Sequence, residues 1–199
     1  MDAREVRDKL LEITRQDCGL TDGKHYLDMG RLGECPRKLA WEIVHGNGVT
    51  DDIKTRLYKA RQMEADLQLR LSKLFGKIYS GPRTLYGCDD EVVGHTNGEI
   101  SPNILVKIKS VPDDEALPNG RTPNNHYWTT QGLMHFGHFN SCIIIYESRA
   151  SGRIQTYSYV YAPAIGRQCQ IKAELVIKAI SDGRLPDCQC GRCRERGFN

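Results

Sequence analysis

The spacing of its cysteines constrains this chain more than any other feature. Cys35 stands near the start, in Glu34-Cys35-Pro36-Arg37-Lys38-Leu39-Ala40-Trp41, while Cys188, Cys190 and Cys193 crowd the end in Cys-Gln-Cys-Gly-Arg-Cys. Three thiols so close together on a glycine-containing turn cannot easily pair as disulfides. They can converge on one metal centre and leave room for a fourth thiolate. If Cys35 supplies it, the fold must bring the two ends of the chain together. Cys18, Cys88, Cys142 and Cys169 compete for that place. Cys142 and Cys169 sit in apolar strand or helix contexts and read as small core residues. Zinc and an iron–sulfur cluster both accept four thiolates, and free thiols are the bland alternative.

At 199 residues the chain is long enough for one sizeable core. It reads as a single domain over 1–199, with a helical lobe over 1–75, a sheet core over 76–183 and a cysteine tail over 184–199. The net charge of +3 permits nucleic-acid binding without arguing for it. No run reaches the roughly 18 apolar residues of a membrane span. The opening Met-Asp-Ala-Arg-Glu-Val-Arg-Asp-Lys-Leu-Leu lacks an apolar signal core, so a cytoplasmic helix is expected there. In that compartment eight cysteines point to thiols and metal ligands rather than disulfides.

Periodicity predicts helices over 2–16, 36–45 and from Asp51 or Asp52 to Phe75. The third has an inner stripe of Ile53, Leu57, Ala60, Glu64, Leu67, Leu71 and Leu74, spaced as one buried face requires. Strands are expected over 78–86, 91–95, 104–110, 142–147 and 154–161. Asn97-Gly98 signals a tight turn. Residues 112–124 read as a loop, and 126–139 and 166–180 as helices. The order is that of a mixed α/β fold around a sheet.

These motifs together resemble the RecB-like branch of the PD-(D/E)XK nucleases, and most of all the iron–sulfur exonucleases of CRISPR adaptation and related phage exonucleases. The resemblance rests on Cys35-Pro36-Arg37-Lys38-Leu39-Ala40-Trp41, a helix over Leu57–Leu71, Gly94-His95-Thr96-Asn97-Gly98-Glu99-Ile100, Leu105-Val106-Lys107-Ile108-Lys109-Ser110, Tyr127-Trp128-Thr129-Thr130-Gln131 and the three terminal cysteines, in that order. It implies a restriction-endonuclease-like mixed sheet flanked by helices. It also implies a 4Fe–4S cluster on Cys35, Cys188, Cys190 and Cys193, with zinc as the alternative. Its catalytic positions fall on Glu64, Asn97, Glu99, Lys107, Lys109 and Gln131.

Two of those positions depart from the pattern. Where the family carries a hairpin aspartate and a strand glutamate that hold the activating divalent metal, this chain has Asn97 and Lys107. Mg²⁺ prefers carboxylate oxygen, and a protonated lysine has no lone pair and repels a cation. Glu64 then needs a new partner on a buried helix face, and Lys107 or Lys109 can serve. Glu99 is a spare acid nearby. The expectation is a degenerate nuclease relative that keeps fold and cluster but lacks efficient cleavage. It would bind DNA through Arg37, Lys38, Lys107 and Lys109, or act on a protein partner in a replication, recombination or defence complex. The rivals are an active Mg²⁺- or Mn²⁺-dependent exonuclease and a protein-binding inhibitor or subunit that never touches DNA. A phage origin fits the resemblance. His126, His135 and His138 lack a His-Glu-x-x-His pattern and read as surface or aromatic-packing residues.

Overall fold

The computed structural model describes residues 27–45, 51–100, 103–188, 190, 191 and 193, with the backbone alone for 51–57. The helix expected over 2–16 and Cys18 lie outside the described residues, as do Ile53 and Leu57 at the level of side chains. Among the described residues are helices α1 (Pro36–His45), α2 (Asp51–Phe75), α3 (Asn124–Gly137) and α4 (Pro163–Ser181) and eight strands. The strands are β1 (Leu27–Asp28), β2 (Tyr79–Ser80), β3 (Thr84–Gly87), β4 (Val92–His95), β5 (Gly98–Ile100), β6 (Ile104–Val111), β7 (Ser141–Ser148) and β8 (Ile154–Val160). They form two mixed sheets: a small one in the order β1-β4-β3 and a larger one in the order β2-β5-β6-β7-β8.

Strand β6 is the centre of the molecule. It pairs antiparallel to β5 and parallel to β7, and α3 makes the crossover between the parallel strands. Side-chain alternation along β6 feeds two separate cores. Val106 and Ile108 pack with Leu67 and Leu71 of α2, Ile100 and Ile145. Leu105 joins Cys142, Ile144 and Tyr146 of β7, Leu133 of α3, Cys169 of α4, and Leu27, Met29, Leu39 and Ala40 from the amino-terminal segment. Lys107 and Lys109 alternate with the α2-facing pair and therefore lie on the second face. Burying an aliphatic side chain in either core stabilises by roughly 1.5–3 kcal/mol.

Three sequence expectations change. The stripe of α2 ends at Leu71, because the helix outruns the sheet and leaves Leu74 exposed. The single strand expected over 78–86 is broken into β2 and β3 around Gly81-Pro82, where the chain leaves the large sheet for the small one. Proline lacks the N–H that a continuous ladder needs. Asn97-Gly98 is not a hairpin turn but the passage from β4 into β5, which belong to different sheets. Its glycine is explained instead by a φ of +151° and by Tyr79, whose ring would lie 2.4–2.5 Å from an added Cβ.

Candidate functional site

The four cysteines predicted from spacing come together. The Sγ atoms of Cys35, Cys188, Cys190 and Cys193 all lie within 4.8 Å of one another. Neighbouring pairs are 3.6 Å (Cys188–Cys190), 3.5 Å (Cys190–Cys193) and 3.5 Å (Cys193–Cys35) apart. Cys193 is buried and Cys190 exposed. The backbone N–H of Cys193 pulls the Cys188 thiol down to about 6, which favours a thiolate. Among the described residues no other cysteine joins the group: Cys142 and Cys169 are fully buried in the core, and Cys88 is only half-buried. A four-thiolate donor set can hold a metal ion. Around a single zinc the sulfur–sulfur edges would be about 3.8 Å, from a Zn–S bond of about 2.3 Å.

The chain ends are braced beside this centre by ordinary contacts. Arg37 Nη1 donates to the Pro186 carbonyl at 3.1 Å. Lys172 of α4 donates to the carbonyls of Leu32 (2.7 Å) and Glu34 (3.2 Å) and lies over the Trp128 ring. Lys38 pairs with Glu34, and Arg31 with Glu34 and Glu42. Of the two expected DNA contacts, Arg37 thus ties the amino-terminal segment to the carboxy-terminal one, while Lys38 is engaged within the amino-terminal segment by Glu34 and Glu42.

The second constellation forms where α2, β5 and β6 meet. Asn97 N–H donates to the Val106 carbonyl at 3.1 Å, and Asn97 Oδ1 accepts from the Ile108 N–H at 2.9 Å. The side chain thereby acts as an extra rung of the ladder beyond the end of β5. Its other atom, Nδ2, donates to Glu64 Oε2 at 3.1 Å. Glu64 meets the Asn97 amide rather than a lysine ammonium, although both lysines feel its charge. An aspartate at this place would set one carboxylate against another; the amide supplies the donor that Glu64 needs.

Lys107 Nζ donates to the His95 carbonyl at 3.0 Å. Burial and the adjacent Lys109 ammonium push Lys107 down to about 8, against the pull of Glu64 and Asp28. Burial lowers Lys109 in the same way. Glu99, the spare acid, is taken by Arg83 at 2.5 Å. Gln131 does not join this cluster. It is fully buried and braces α3 against the β8–α4 junction, with Nε2 donating to the Val160 carbonyl (3.1 Å) and Oε1 accepting from Ala162 N–H (2.8 Å).

Sequence reasoning missed the neighbour of Lys109. Tyr146 lies opposite Lys109 on the parallel strand β7, and its hydroxyl is 2.8 Å from His126 Nδ1 at the start of α3. Only the register of two strands and the position of a crossover helix bring these groups together. His135 bonds Tyr161 (2.6 Å) and Gln170 (2.8 Å), an aromatic-packing role, while His138 ends α3 in the left-handed conformation and is exposed.

No protein-family model matches the sequence, and no curated protein matches it. Among solved structures, the chain is similar to an alkaline exonuclease from Laribacter hongkongensis in complex with dAMP, with a TM-score of 0.62 at 9% identity over 88% of this chain and 96% of that one. It is similar to SSO0001, with a TM-score of 0.59 at 16% identity over 85% and 86% of the two chains. A phage-related exonuclease from Haemophilus somnus gives 0.55 at 11% identity over 74% and 79%. At such identities the likeness is one of fold, and the fold is that of exonuclease structures.

Proposed function

We propose that this protein is a nuclease-fold relative that binds nucleic-acid phosphate on β6 without hydrolysing it. The observation that carries the reading is the commitment of both Asn97 amide atoms, Oδ1 to Ile108 and Nδ2 to Glu64. A side chain used in this way leaves a divalent cation at most the second lone pair of a neutral amide oxygen, in place of a carboxylate, and Lys107 places an ammonium on the neighbouring strand. Phosphodiester hydrolysis by the metal route needs clustered carboxylates to hold the ion that activates water. The rival of an active exonuclease on Glu64, Asn97 and Glu99 is disfavoured by the same geometry, because Arg83 occupies Glu99. With Arg37 and Lys38 engaged elsewhere, Lys107 and Lys109 remain as the phosphate contacts.

The cysteine centre is structural in this reading. A metal or cluster on Cys35, Cys188, Cys190 and Cys193 supplies four strong bonds that close the chain ends on each other. The family resemblance implies a 4Fe–4S cluster, and the close thiol spacing suits a single tetrahedral ion. Iron and acid-labile sulfide content against zinc content separates the two.

The test is a binding isotherm on single- and double-stranded DNA over a salt series. Affinity should fall with rising salt and show little sequence preference, since neutralising phosphates releases counterions and reads no bases. Lys107→Glu with Lys109→Glu should weaken binding by roughly 10²-fold or more, because reversing two charges at the contact replaces attraction with repulsion. Lys73→Glu with Lys178→Glu changes net charge equally on exposed helix faces and should cost far less; Lys172 is unsuitable as a control because it braces Leu32 and Glu34. Equal losses would leave only diffuse attraction. No binding at low salt would sink the nucleic-acid reading and leave a protein partner in its place.

The pH dependence has a defined sign. Lys107 titrates near 8 when folded, against 10.5 in its ordinary state. Between those values the unfolded chain binds more protons, so Lys107 costs stability below pH 8 and that cost is relieved as pH rises toward 10.5. DNA affinity should move the opposite way, falling as pH rises through about 8 and the ammonium is lost. An affinity that is flat from pH 7 to 9.5 would remove Lys107 from the contact.

A further inference from the structure

Lys109, His126, Tyr146 and Thr122 form a polar cluster that the Glu64–Asn97 arrangement does not use. Among the described residues the Lys109 ammonium has no hydrogen bond or ion pair, although it is largely shielded from water and feels Glu64 and Asp28. Thr122 is 3% exposed, and its Oγ1 has no partner with hydrogen-bond geometry, although it lies near the Tyr146 hydroxyl. Its own N–H donates to Tyr159 at 3.3 Å. Thr122 immediately precedes Pro123, the residue at the N-cap of α3, which has no side chain to satisfy the first N–H groups of a 14-residue helix. His126, in the first turn, is bonded through Nδ1 alone. Tyr146 is held protonated by burial, its pKa pushed up to about 12. When Tyr146 donates to Nδ1, the ring proton sits on Nε2 as a free donor.

The Thr122 hydroxyl, the Lys109 ammonium, the His126 Nε2–H and the uncapped start of α3 are donors of the kind an oxyanion accepts from, and Tyr146 ties them to one part of the fold: it lies opposite Lys109 in the β6–β7 pairing and its hydroxyl meets His126. We propose that Lys109, His126, Thr122 and the amino end of α3 form a phosphate-oxygen subsite adjoining Lys107. The inference deepens the phosphate-binding function and rests on it for the source of the ligand: a backbone phosphate of a nucleic acid rather than free phosphate. The pull of Lys107 and Lys109 on the anion is opposed by Glu64 and Asp28, so the neutral donors of His126 and Thr122 add what the charges alone do not.

The test uses the full chain with inorganic phosphate and, separately, an oligonucleotide. His126 is pushed down to about 4 by burial and by Lys109; a bound phosphate should raise it and move its ring signals saturably, with His126→Gln assigning them among the six histidines. Thr122→Val removes a hydroxyl without a partner, so the Tm should hold or rise while oligonucleotide affinity falls about tenfold. His126→Gln should lose affinity in the same direction. A fall in Tm for Thr122→Val would show that the hydroxyl serves the fold and would overturn the subsite. So would His126 signals that phosphate does not move. If the oligonucleotide binds and neither variant weakens it, the subsite fails while the wider function stands. If phosphate moves His126 but no oligonucleotide binds, the subsite stands as a free-phosphate site and the nucleic-acid reading fails.

Discussion

Cys35→Ser should strip the metal from the protein and lower its Tm by on the order of 10 °C. The Sγ atom of Cys35 is 3.5 Å from that of Cys193, and the two residues are separated by 158 positions. A crosslink across so long a segment removes much of the freedom of the unfolded chain; the loop-entropy treatment gives about 4.7 kcal/mol for a 100-residue loop. For a domain of this size each kcal/mol shifts the Tm by about 2–4 °C. Arg37–Pro186 and Lys172–Leu32 remain in the variant, so the damage should concentrate in the cysteine tail and appear there first as faster amide exchange. Cys190→Ala should act in the same direction. Brown colour with iron and sulfide in the parent protein, bleached in both variants, identifies the cluster implied by the family resemblance. Stoichiometric zinc identifies the single-ion centre and keeps the crosslink. Full metal content in Cys35→Ser would remove Cys35 from the site, and an unchanged Tm would show that the other contacts hold the ends alone.

The cysteine centre could be seen in the sequence because metal ligation imposes spacing: three thiols on a glycine turn leave few other uses. The helices could be seen for a similar reason, as a buried stripe repeats every three or four residues whatever it packs against. Asn97 stands out in the sequence, but the work it does in the structure is not visible there. Whether an asparagine turns a hairpin or replaces a backbone rung depends on where β5 stops, and that is set by pairing with β6. The break at Gly81-Pro82 is marked by proline, yet the transfer between sheets is a matter of topology. Gln131, singled out by resemblance alone, is spent on Val160 and Ala162, two backbone groups at the β8–α4 junction. The Lys109–Tyr146–His126 cluster spans β6, β7 and α3 and has no local signature at all.

Cleavage of DNA should appear only when Asn97→Asp and Lys107→Glu are combined. Asn97→Asp alone removes the Nδ2 donor and sets a carboxylate 3.1 Å from Glu64 where the amide now stands. Two carboxylates so close cannot both ionise easily, so one takes a proton unless a cation separates them, and Lys107 still occupies the cation's side. Lys107→Glu alone frees the His95 carbonyl and removes the ammonium, but Asn97 keeps both amide atoms in use and the ion gains too few charged oxygens. The pair together supplies three carboxylates, counting Glu64, with Lys109 beside them, and Mn²⁺ can then bind and activate water. Metal ligands act as a unit, so the gain should be non-additive: no turnover in the parent or either single variant and Mn²⁺-dependent cleavage in the double. Calorimetry should show Mn²⁺ binding in the double variant alone. Cleavage by the parent protein with Mn²⁺ would refute the non-hydrolytic function outright. A double variant that binds Mn²⁺ and DNA but leaves the DNA intact would show that holding the metal at these three carboxylates does not by itself activate water against the phosphodiester.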